Sequence, residues 1–162
     1  MMNDLNFAIK MENDGEKYYR EQAEKNKNNR LHVICLKMAD DEKMHAKIIM
    51  NKMNRMPLTL APMDTLENAK NVFEGLGDMK IPEKETLSQF DFYRKAVDIE
   101  QKSIALYTEY LAKAEDDIEK ELFQFLIDQE KQHFAVLDEL SNMIRHSMEL
   151  QENAEFGIRP EY

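Results

Sequence analysis

The sequence has no tryptophan, one cysteine, four glycines and four prolines in 162 residues. A single thiol, Cys35, excludes a disulfide within the chain and any metal site built wholly from its own cysteines. No stretch approaches the roughly 18 to 20 continuous apolar residues that a membrane span requires. The opening Met1-Met2-Asn3-Asp4 lacks the basic and then apolar regions of a secretory signal, so the expected compartment is cytoplasmic. Basic residues are outnumbered by acidic ones, 22 against 32, for a net charge of −10. That balance argues against nucleic acid and anionic membrane as partners. Scarce glycine and proline, with abundant Glu, Lys, Leu and Ala and 12 methionines, lean towards helix. The length suits one domain, 1–162, with one sizeable core.

Apolar periodicity predicts helices at about 3–27, 30–55, 86–114 and 117–149. On the first, Leu5, Ala8, Ile9, Gly15, Glu16, Tyr19 and Ala23 share a face with Glu12 at its centre. On the second, Glu42 and His45 fall in phase with Leu31, Cys35, Met38, Ala39, Ala46, Ile49 and Met53. Glu100 lies among Ala96, Val97, Ile104 and Tyr107, and Glu130 and His133 among Phe123, Leu126, Ile127 and Leu137. A carboxylate inside an apolar stripe costs too much to bury unless something compensates it. Residues 56–85, punctuated by Pro57, Pro62, Gly75, Gly77 and Pro82, are too long for a tight link and read as a crossover with a short helix near 65–75. Residues 150–162 read as a tail. The expected fold is all-α: a four-helix bundle of two helical hairpins joined by the long crossover, in ferritin-like topology.

The four acids form a pattern. Glu42-Lys43-Met44-His45 and Glu130-Lys131-Gln132-His133 are both Glu-x-x-His, and each has a glutamate 30 residues upstream, Glu12 and Glu100. The set repeats at an offset of 88, which also maps Tyr19 on Tyr107. Each Glu–Glu pair straddles a turn, with midpoints at residues 27 and 115, so antiparallel helices bring the acids to one height. Residues i and i+3 are neighbours on a helix face, so each motif delivers an oxygen and an imidazole nitrogen to one region.

Four carboxylates and two imidazoles are the ligand set expected of a di-iron or di-manganese carboxylate bundle. The predicted metal ligands are therefore Glu12, Glu42, His45, Glu100, Glu130 and His133, around two iron ions, with manganese or zinc as alternatives. Symmetry makes Glu42 and Glu130 the bridging pair, Glu12 and Glu100 terminal. The competing reading, a bundle with buried salt-bridged glutamates, would have to hold four acids at one level without counter-charge. Beyond the ligands, catalytic residues are not legible. Tyr19 and Tyr107 either hydrogen-bond a ligand carboxylate across the bundle or are satisfied core residues. Asp41 either reaches a ring N–H of the opposite histidine or is solvated; Gln129 holds the equivalent place. Gly15 and Ser103 either leave room for a small ligand or serve close packing. Glu16 is expected to flank the site, Cys35 to be core, and His32 and His146 to be solvated.

At these residues the chain resembles the rubrerythrin-like family of the ferritin-like di-iron carboxylate superfamily. Met11-Glu12-Asn13-Asp14-Gly15-Glu16-Lys17-Tyr18-Tyr19 and Asp40-Asp41-Glu42-Lys43-Met44-His45-Ala46 are similar to that family's first two helices. The resemblance covers both hairpins. It implies a non-haem di-iron oxidoreductase acting on peroxide or dioxygen in oxidative-stress defence, with an external electron donor such as a rubredoxin-type protein, and a homodimer. The alternative is an iron-binding or ferroxidase protein that handles iron without peroxidase turnover. Two departures stand out. The chain has no cysteine-rich rubredoxin module, and Ser103 stands where rubrerythrins carry a further glutamate.

Overall fold

A computed structural model describes residues 2–76 and 83–157. Among the described residues five helices follow in order: α1 (Met2–Lys25), α2 (Leu31–Met53), α3 (Thr65–Leu76), α4 (Glu83–Lys113) and α5 (Asp117–Gly157). The hairpins are α1 with α2 and α4 with α5, α1 touches α4, and the crossover helix α3 lies against α5 and α2. This is the all-α ferritin-like bundle expected. Boundaries differ in places. Helix α4 begins at Glu83, three residues early, and α5 continues to Gly157 where a tail was expected from residue 150. Residues 158–162 of that tail lie outside the described residues.

Side chains fix both tight turns. In the first, Asn29 Oδ1 accepts from Leu31 N at 2.9 Å while its amide donates to Asn26 Oδ1 at 2.9 Å. His32 Nδ1 lies 2.6 Å from the Ala23 carbonyl, which near the end of α1 also accepts from Asn26 N at 3.2 Å. His32 is therefore half-buried and partnered, where solvation was expected; His146 is exposed as expected. In the second turn Asp116 Oδ1 accepts from Glu119 N at 2.7 Å and Glu119 reaches back to Glu115 N at 3.2 Å. These reciprocal bonds resemble a capping box and start α5.

The core is split. One cluster packs Tyr19, Ala23, Cys35, Met38, Phe92, Ala96, Leu137 and Ile144, with Ala69 brought in by α3. The other packs Leu5, Ala8, Ile49, Tyr107, Leu122, Phe123 and Leu126. Along every long helix the predicted acid falls between the two: after Ala8 and before Tyr19 on α1, after Ala39 and before Ile48 on α2. Helices α4 and α5 repeat the order around Glu100 and Glu130. Apolar burial above and below thus pins a polar layer at mid-height.

Candidate metal centre

All six predicted ligands converge in that layer. Glu12, Glu42, His45, Glu100, Glu130 and His133 are each at most 1% exposed. They form two groups whose ligand atoms lie within 4.8 Å of one another. One is Glu12, Glu42, His45 and Glu130; the other is Glu42, Glu100, Glu130 and His133. Glu42 and Glu130 belong to both. The two imidazole rings stand 6.0 Å apart.

His45 Nδ1 is 2.9 Å from Glu130 Oε1 and 3.4 Å from Glu12 Oε2. His133 Nδ1 is 3.0 Å from Glu42 Oε1 and 3.1 Å from Glu100 Oε1. Yet Glu12 Oε2, Glu42 Oε1, Glu100 Oε2, both Glu130 oxygens and both His45 nitrogens are buried without a hydrogen-bond partner. Native interiors rarely leave such groups unpaired, and a cluster of them demands an account. Lone pairs that converge on shared points without bonding one another suit divalent cations. The residues present therefore fit the two-metal group that the ligand pattern implies.

The electrostatics point the same way. Burial, and then the Glu12 carboxylate beside it, pushes Glu42 well above the usual carboxyl range. Glu130 rises likewise through burial and then Glu42 and Glu100. Burial also works against ionised Glu12, but His45, Glu42 and Tyr107 outweigh it and hold Glu12 at about 2. Glu100 is lowered in the same manner against burial, first by His133 and then by the neighbouring Glu130 carboxyl and the Tyr19 hydroxyl. Without a cation, four carboxyls at one level cannot all ionise, and the two shared ones retain protons.

Supporting contacts surround the six. Tyr19 on α1 donates to Glu100 on α4 at 2.6 Å, and Tyr107 on α4 donates back to Glu12 on α1. Both tyrosines are fully buried, so the reading as carboxylate-orienting groups holds. His133 Nε2 is 2.8 Å from Asp41 Oδ2, and Asp41 is 6% exposed, which rules out the solvated alternative. Gln129 is also buried. Gly15 serves close approach: a Cβ there would stand 2.9 Å from Glu42 Oε2. Buried Ser103 donates to Ile99 O at 3.1 Å and lies 3.7 Å from Met11 Sδ. Glu16 flanks the site and pairs with Arg20 at 2.7 Å; Cys35 is core.

One contributor has no signal in the helical pattern. Thr65, the first residue of α3 and 2% exposed, donates its hydroxyl to Asp41 Oδ2. A threonine opening a helix reads as a cap, and nothing in the 88-residue repeat ties the crossover to the centre.

Among the described residues no helix is long and apolar enough to cross a membrane. Comparison with curated proteins and with solved structures returns no match. A family model described as Rubrerythrin matches residues 3–141, which takes in most of both hairpins and all six converging side chains. The chain therefore belongs to the rubrerythrin family, within the ferritin-like superfamily.

Proposed function

We propose that this protein is a non-haem di-iron oxidoreductase that reduces peroxide or dioxygen with electrons from an external donor. The observation that carries the reading is the pair of buried ligand groups sharing Glu42 and Glu130 in a chain of this family. Glu42 and Glu130 would bridge, Glu12 and Glu100 would be terminal, and each ion would take one histidine through Nδ1. Four carboxylates balance the charge of two divalent ions, and oxygen-rich ligation with one imidazole each suits iron. Bound ferrous ions would supply the two electrons that, with two protons, take hydrogen peroxide to two waters.

The chain's own residues set the conditions. Two apolar clusters close the layer above and below and exclude bulk water, which strengthens each electrostatic contact inside. Tyr19 and Tyr107 each hold one oxygen, Oε1, of Glu100 and Glu12 and so fix the orientation of those carboxylates. The electrons have to come from outside this chain's thiols, because its one cysteine is buried in the apolar core.

Stopped-flow mixing of the ferrous-loaded protein with hydrogen peroxide or dioxygen tests the proposal. Fast oxidation at two irons per chain is expected, with repeated turnover when a reductant is supplied. Oxidation no faster than in a Glu130→Ala variant would end the idea. A single round of oxidation without turnover would instead make this an iron-handling protein.

A further inference from the structure

The repeat that relates the two hairpins breaks at the outer nitrogen of each histidine. His133 Nε2 faces the Asp41 carboxylate at 2.8 Å. Asp41 is itself held by the Thr65 hydroxyl at the start of the crossover helix. The equivalent of Asp41 is Gln129, a neutral amide, and His45 Nε2 is buried without a hydrogen-bond partner. The offset of 88 carries Thr65 onto Asn153, far along α5, so the repeat offers no second hydroxyl behind Gln129.

We infer that the two metal positions are unequal, and that the Asp41–Thr65 pair makes the position at His133 the tighter and the first to fill with a divalent cation. The inference rests on the two-metal reading above. An imidazole that binds a cation through Nδ1 must carry its proton on Nε2. At His133 that proton has an anionic acceptor waiting, which fixes the tautomer and ring angle and makes Nδ1 a better donor. At His45 the same tautomer leaves a buried N–H unpaired, so binding there works against an unsatisfied group. Thr65 keeps Asp41 in place by taking one lone pair of the same oxygen, so the crossover helix acts on the centre through a positioning residue.

Titration of the metal-free protein with cobalt(II), followed by calorimetry and by its visible absorption, reads the two positions without turnover. Two ions per chain are expected, in separate steps. Asp41→Asn should weaken the first step by roughly 10- to 100-fold, the range usual for loss of a supporting carboxylate, and leave the second nearly unchanged. Thr65→Val should weaken that first step by less, and Thr65→Ser, which keeps the hydroxyl, should restore it. This pair also stands independently should Asp41→Asn fold poorly. A loss confined to the second step would overturn the inference, because His133 would then not fill first. Equal losses from both steps would overturn it too. Failure of the wild-type chain to take up cobalt would instead sink the two-metal reading itself.

Discussion

A glycine inside a helix weakens it by roughly 1 kcal/mol relative to alanine, so Gly15 in the middle of α1 calls for a reason. Its reason is Glu42, whose Oε2 lies 2.9 Å from where a Cβ would be. The two effects of Gly15→Ala therefore have opposite signs. In the metal-free protein the carboxylate can rotate away, and the helix gains up to about 1 kcal/mol. If Glu42 bridges as proposed, it cannot yield with metal bound without leaving that place, and affinity should fall by roughly tenfold or more. Competition with a calibrated chelator, alongside urea unfolding of the metal-free variant, separates the two. Unchanged metal affinity would remove Glu42 from the bridge. At this scale most of the centre was legible. The six side chains that converge there share the phase of four apolar stripes, and phase needs no coordinates to read. Asp41 stayed ambiguous because the repeat maps it on Gln129, and a carboxylate on an amide does not announce a shared role. Thr65 was illegible because its bond depends on where a non-repeating crossover comes to rest.

The helices end for reasons that differ in visibility. Helix α2 closes with Met56 N bonded to Asn51 O at 2.8 Å and Arg55 N to Lys52 O at 3.2 Å, the paired bonds of a Schellman motif. That motif needs a left-handed residue, and here it is Arg55, at φ 55. Glycine would have marked the stop in the sequence; arginine hides it. A side chain in this region costs roughly 1–2 kcal/mol, against roughly 0.5–1 kcal/mol of extra chain entropy for glycine. Arg55→Gly should therefore stabilise the protein by about 0.5–1 kcal/mol. The urea midpoint should rise with an unchanged slope, and a fall would show that the exposed Arg55 side chain contributes more than its backbone costs. The far end of α5 was missed for another reason. Past Ile144 and Ser147, the last two buried positions described on that helix, Gln151-Glu152-Asn153 offers no apolar phase to extend. Periodicity detects a helix only where it has something to bury.

At the scale of the whole molecule, the split core makes stability depend on what occupies its middle. In the metal-free protein Glu42 and Glu130 are raised well above 4.5 by burial and neighbouring carboxylates. His133 lies well above 6.5, because the Glu100 and Asp41 carboxylates outweigh its burial. A raised group stabilises fully below its unfolded value, and that contribution is lost as pH climbs towards the folded value. Glu12, held at about 2, and the lowered Glu100 work the other way: their contribution is present above 4.5 and lost only in acid. The metal-free bundle should therefore be most stable in mildly acidic solution and weaken from about pH 5 to pH 8. Divalent cations taken up by the proposed centre should reverse the trend. They displace the protons on Glu42 and Glu130, so their affinity grows as pH rises. With free metal at roughly 1,000 times its Kd the gain is about 4 kcal/mol for each ion bound, or about 8–16 °C in Tm per ion for a chain of this size. Melting curves with chelator and with manganese(II), taken across that pH range, should diverge as pH increases. A chelated protein whose Tm rises between pH 5 and pH 8 would mean that the buried acids are not sharing protons in this layer. Curves that coincide at pH 8 would mean that no cation replaces those protons.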